Sequence, residues 1–177
     1  VVVNASHGVG VGTNAVWKYA TQFGIPKFIV INAFDKEETD FDKALAQVRE
    51  HYGARAFPLS LPVNPGPGFN QLLDVMRSEV ITYAADRSGK FTEAPATGAL
   101  AERAKELHEQ FIEYIAEADD SLMEKWMEKG TLSEEELRSG IHAAVQKQSF
   151  IPVFCVSAEN NIGVARLLDR IARYGSS

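Results

Sequence analysis

Cysteine is almost absent from this chain. The 177 residues hold one, Cys155, inside the apolar run Pro152-Val-Phe-Cys-Val156. A single thiol cannot close an internal disulfide, which excludes a disulfide-stapled scaffold and favours a reducing, cytoplasmic setting. In such a run the thiol reads as a small buried hydrophobe rather than a nucleophile. No stretch of about 18 apolar residues occurs, so no membrane-spanning helix is expected. A charged leader followed by an apolar core is missing too, so no secretory signal is read. Positive charge is in deficit: 18 Lys and Arg face 24 Asp and Glu, a net of -6. That balance argues against a nucleic-acid grip built on broad phosphate neutralisation, while a local patch against a ribonucleoprotein stays open. The phosphate-cradling pattern G-x-x-x-x-G-K-[S/T] occurs nowhere. The chain opens on Val1 rather than methionine, which reads as the cut end of a longer protein.

What is present alternates. Val1 to Asn4 reads as a buried strand and Ala5 to Gly12 as a glycine-rich loop. Thr13 is a candidate helix cap, followed by Val16, Trp17, Ala20 and Phe23 at helical spacing. Lys27 to Ile31 is a short apolar run, as in a strand covered on both faces. Phe41, Leu45, Val48 and Tyr52 mark a second helix, and Ala54 to Pro62 alternates like a strand. Such β-α-β-α-β order implies a parallel sheet with ligands beyond its carboxyl ends. Between about residues 60 and 150 the character changes to a small irregular or antiparallel β piece and then three helices. Ser133 and Glu136 form a capping box for the third helix. Trp126, Met123 and Met127 read as core of this insertion, or alternatively as a partner groove. Strand and helix return at Ile151 to Tyr174.

The chemistry gathers at two strand ends. Asn32-Ala-Phe-Asp35 stops the Phe28 to Ile31 run. A carboxylate there can accept two adjacent N–H bonds from a flat base, and guanine offers such a pair on its N1 and N2 edge where adenine does not. The bland alternative is that Asn32 and Asp35 merely cap the helix near Thr39. Ser157-Ala158-Glu159 ends the later strand; its backbone N–H can face the same base, or Ser157 and Asn160 simply make a turn. His7 reads as a loop residue, and His51, His108 and His142 show no metal-ligand spacing with cysteine.

The ordered set Val1–Asp35, Asp40–Val63, Ala118–Leu137 and Ile151–Ile171 resembles the G domain of elongation factor G, the translational GTPase of ribosomal translocation. The resemblance implies an α/β fold: the last three strands of a P-loop-GTPase-like parallel sheet with an inserted α+β subdomain. Residues 1–60 and 150–177 would belong to the G domain and 61–149 to the insertion. Asn32 and Asp35 match the ends of the family's N-K-x-D motif, and Ser157 and Ala158 the start of its S-A-x motif. Asp35 would take the guanine N1 and N2 donors, and the Ala158 N–H the guanine oxygen. GTP or GDP is the implied ligand, with magnesium bound only by the parent protein. The ribosome is the implied partner, its stalk protein meeting the inserted subdomain.

Two departures qualify that reading. Ala33 stands where the family has lysine, which implies weak or absent GTP binding. The phosphate loop, magnesium aspartate and switch residues are not in this chain, so alone it cannot build a hydrolysis site. The glycines from Gly8 to Gly12 carry no lysine and follow what the resemblance makes a later strand. An alternative function is therefore a nucleotide-independent ribosome- or partner-binding module of a paralogue with a degraded site. A flavodoxin-like module is a third reading, lacking its phosphate loop. The first strand is also expected to expose an edge that something covers.

Overall fold

The computed structural model describes residues 1–175. Strand β1 (Val2–Asn4) leads to helix α1 (Val11–Gln22), strand β2 (Ile29–Asn32), helix α2 (Phe41–Tyr52) and strand β3 (Ala56–Pro58). Four antiparallel strands follow: β4 (Ser60–Pro62), β5 (Gln71–Asp74), β6 (Glu79–Tyr83) and β7 (Phe91–Pro95). Helices α3 (Gly98–Glu117), α4 (Asp120–Lys129) and α5 (Glu134–Gln146) precede strand β8 (Ile151–Val156) and helix α6 (Val164–Tyr174).

The parallel sheet has the order β1-β2-β8-β3. It holds four strands where three were expected from the resemblance. The additional one is the Ala54 to Pro62 stretch, whose first half pairs with β8 in parallel and whose second half turns into the antiparallel sheet. Strand β8 is central, and each of its six residues is buried. Ile151, Val153 and Cys155 join one core cluster and Phe154 the other, the alternation a pleated strand imposes. One cluster packs α2 under the sheet through Leu45 and Val48. The other joins Phe57, Phe154 and Tyr174 to Phe111 and Ile115 of α3 and Ile141 of α5. Trp126 packs at its margin, whereas Met127 is exposed and takes no part in the core.

Helix α1 begins earlier than its threonine suggested. Gly10 takes the cap position, and the Thr13 hydroxyl turns back to donate to the Val2 carbonyl at 3.2 Å. That bond and the Gly8 N–H, which donates to the Asn4 carbonyl at 2.8 Å, cover the outer edge of β1 from within the chain, and no strand pairs there among the described residues. No residue of α1 is buried. The helix is held by Trp17, which stacks on Tyr52 at 4.0 Å between ring centres, and by the Tyr52 hydroxyl donating to Asn14 at 2.7 Å.

Candidate functional site

Strand β2 ends at Asn32, and the chain turns at Ala33 with φ of 74°. Phe34 then dives into the core, fully buried between Phe41 and Phe69. Its carbonyl accepts from the Gly66 N–H at 2.7 Å. This aromatic plug was not singled out in the sequence, although an apolar residue between polar neighbours is the available signal. With Phe34 pinned inward, Asn32 and Asp35 are left beyond the carboxyl end of the sheet.

Strand β8 delivers the second loop beside the first, because Asn32 is in register with Val156. Ser157 is buried, and its hydroxyl donates to Asp35 Oδ1 at 2.6 Å. The Ala158 N–H donates to Asn32 Oδ1 at 2.9 Å. Two pairs separated by more than a hundred residues in the chain thus close one another. The bland reading of Asp35 fails: α2 is capped by Asp40, whose carboxylate accepts from the Lys43 N–H at 3.0 Å. The bland reading of Ser157 is half right, since its oxygen also accepts from the Asn160 N–H at 3.2 Å. The Ala158 N–H, expected to be free for a base oxygen, is occupied by Asn32 in this arrangement.

Asp35 remains a competent acceptor. Burial works against its ionisation, but the Ser157 hydroxyl and the Lys36 ammonium outweigh burial and hold the carboxyl below the usual aspartate value. Lys36 Nζ lies 3.0 Å from Asp35 Oδ2 and 2.5 Å from Glu159 Oε2. Glu159 first, and Asp35 with it, raise the lysine above its ordinary value. Arg87, at the turn between β6 and β7, reaches Glu159 Oε1 at 3.9 Å. These charged partners were invisible to sequence spacing.

The glycine loop shows no phosphate cradle. The Gly8 N–H donates to the Asn4 carbonyl, Val9 N–H to Gln47 Oε1 and Gly10 N–H to the Thr13 hydroxyl. Asn4 turns its own side chain onto the Ser6 and His7 amides. Among the described residues no group of three His, Cys, Asp or Glu could hold a metal ion. The Cys155 thiol is buried, which pushes its pKa well up, and it donates to the Ser60 carbonyl at 3.2 Å. A small cavity of about 20 Å³ between the antiparallel sheet and α6 has room for about one water and lies apart from Asp35.

The family model described as the elongation factor Tu GTP binding domain matches residues 1–177. The chain belongs to that GTP-binding domain family. A crystal structure of a protein from Thermus thermophilus superposes with a TM-score of 0.88 at 31% identity, covering 99% of this chain and 26% of that one. The chain therefore spans about a quarter of that relative's length. For this elongation-factor-type G domain, the α/β architecture with its parallel and antiparallel sheets agrees with the family. The side chains present fit the base half of a guanine nucleotide: a carboxylate held ionised, flanked by an amide side chain and a strand-end backbone N–H. No helix among the described residues is long and apolar enough to cross a membrane.

Proposed function

We propose that this chain is the guanine-recognition half of an elongation-factor-G-like translational GTPase. Asn32, Asp35, Ser157 and Ala158 form the base-reading surface, and residues 61–149 form an inserted subdomain that meets the ribosomal stalk. The observation that carries this reading is the cross-loop closure of Ser157 on Asp35 at 2.6 Å and of Ala158 on Asn32 at 2.9 Å. Two strand ends supply two loops, and the loops interlock around one ionised carboxylate. Phosphates, magnesium and the hydrolytic water belong to the rest of the parent, which would work in the cytoplasm on the ribosome. Asp35 would accept the N1 and N2 protons of guanine, and the Ala158 N–H would turn from Asn32 to the base oxygen.

A second reading has its own support. Ala33 removes the lysine stem that would lie along the base, and the donors and acceptors of both loops are satisfied internally. A paralogue that binds its partner without nucleotide would have these features. GDP and GTP titration calorimetry on the whole parent, beside Ala33→Lys, separates the two. Under the first reading the unaltered protein binds at micromolar strength or better, and the added lysine tightens binding by about 1–3 kcal/mol, roughly five- to 150-fold. If only the Ala33→Lys protein binds, the second reading stands.

A further inference from the structure

Asp35, the acceptor on which base recognition depends, is not free. Ser157 holds Oδ1 from within the protein, and Lys36 Nζ sits 3.0 Å from Oδ2. A guanine edge must bring two donors to these same two oxygens. A carboxylate has about four lone-pair positions, so Ser157 can share Oδ1 with a base, while the ammonium 3.0 Å from Oδ2 competes with the second donor for that oxygen. The ammonium has somewhere else to rest. Glu159 Oε2 already contacts it at 2.5 Å, and the side chains of Lys36 and Glu159 are half-exposed, at 50% and 55%. Glu159 is in turn engaged through its other oxygen by Arg87 at 3.9 Å. The turn carrying Arg87 is fixed to the same loop, because the Asn161 amide donates to the Arg87 carbonyl at 3.3 Å.

We propose that Lys36 is a displaceable cap on Asp35, and that Glu159 is the seat to which it retreats when a guanine base arrives. The proposal rests on the guanine-site reading above and deepens it by naming two affinity-setting residues outside the base-reading quartet. Lys36 competes with the base for Oδ2. Glu159 lowers the cost of that displacement by keeping the ammonium paired after it leaves. Arg87 steadies Glu159 from the antiparallel sheet, so the insertion touches the cap through one charge.

The two residues therefore act in opposite directions. Removing the cap strengthens binding; removing its seat weakens binding, because the ammonium then has only Asp35. A bridge that merely stiffened the loops would weaken binding in both variants. The test uses the 177-residue chain with guanosine, which has no phosphate, titrated by NMR. Thermal melts confirm that each variant is folded. Lys36→Met is expected to bind about two- to five-fold more tightly, the range of an exposed ion pair. Glu159→Gln is expected to bind more weakly by a similar factor. The double variant should match Lys36→Met, since without the cap its seat has no role.

A second measurement, the carboxyl titration of Asp35, needs no ligand. Lys36→Met should raise the pH at which Asp35 protonates. Weaker guanosine binding in both single variants overturns the cap in favour of a structural bridge. Unchanged affinity with an unchanged Asp35 titration shows that Lys36 does not rest on Asp35 at all. If no variant binds guanosine, the guanine reading itself fails and the gating role falls with it, while the Asp35 titration still reports whether the ion pair forms.

Discussion

Ala33 carries two consequences at a single position. Its φ of 74° lies in the left-handed region, where an L side chain costs about 1–2 kcal/mol. The strain comes from the loop, which must reverse between the end of β2 and the inward-facing Phe34. A lysine at 33 would bear the same backbone cost, so the small residue is no conformational relief. Glycine would be. Ala33→Gly should stabilise the fold by about 0.5–1 kcal/mol after the entropy of the unfolded chain is subtracted. That corresponds to a rise of roughly 1–4 °C in Tm for a chain of this size, readable by calorimetry. A lower melting temperature would mean that the Ala33 methyl makes packing contacts outweighing the strain. Asn32 and Asp35 stood out in the sequence as candidates because a strand-end N-x-x-D is a local pattern. Lys36 and Glu159 were not, because their meeting joins loops 123 positions apart.

Helix α5 shows a cap written in the sequence and kept in the structure. Ser133 N–H donates to Glu136 Oε2 at 2.9 Å, the Glu136 N–H returns to the Ser133 hydroxyl at 3.3 Å, and Lys125 pairs with Glu136 at 2.8 Å. Lys125 above all, with Ser133, draws Glu136 from 4.5 down to about 2. A carboxyl lowered on folding stabilises the native state above its unfolded value, and that contribution fades as pH falls toward the folded value. Amide protection factors over residues 133–137, with the intrinsic pH dependence of exchange divided out, should therefore hold at pH 5 and fall between about pH 4.5 and 2. Glu136→Gln should lose most of this pH response.

The same helix meets α3 and α4 through a glycine whose role no local pattern announced. A methyl at Gly140 would run into Ile115 and lie 2.8 Å from Leu122 Cδ1. Gly140→Ala should cost about 1–3 kcal/mol by overpacking, despite the better helix propensity of alanine. Urea unfolding measures this, and a gain in stability would show that the helices can separate without penalty. Helix periodicity told which faces turn inward, but the spacing between helix axes is decided by partners distant in sequence.

Across the whole molecule, the antiparallel sheet is welded to helix α6. Asp74 of β5 is almost fully buried and is met by Arg166 at 3.1 Å and Arg170 at 3.4 Å from α6, while Arg166 also pairs with Glu93 of β7. Arg170 further donates to the Tyr174 hydroxyl. Removing Asp74 leaves two cations without their shared carboxylate in a dry setting, so Asp74→Ala should destabilise by about 3–5 kcal/mol. Because one hydrophobic cluster runs from Phe57 and Phe154 into α3 and α5, fluorescence and circular dichroism should follow one unfolding transition. Two separated transitions would show that the insertion unfolds by itself. The sequence made the parallel core and the intrusion of a different texture readable. It hid the weld, since Asp74, Arg166 and Arg170 look like ordinary surface charges until the sheet and the last helix face one another. It also hid the division of the Ala54 to Pro62 stretch, read as one strand, between the parallel sheet and the antiparallel one.

Strand β8 lies between β2 and β3 although it follows both in the chain. During synthesis from the amino end, β2 and β3 emerge early with a gap between them, and neither can complete its inner hydrogen bonds until residues 151–156 arrive. Everything between, the antiparallel sheet and three helices, must be made first. The sheet is thus a structure with a reserved seat at its centre, and an interrupted polypeptide ending before Ile151 would leave two unsatisfied strand edges facing each other. Such edges pair readily with strangers, so truncated products of this chain should aggregate rather than linger as soluble halves.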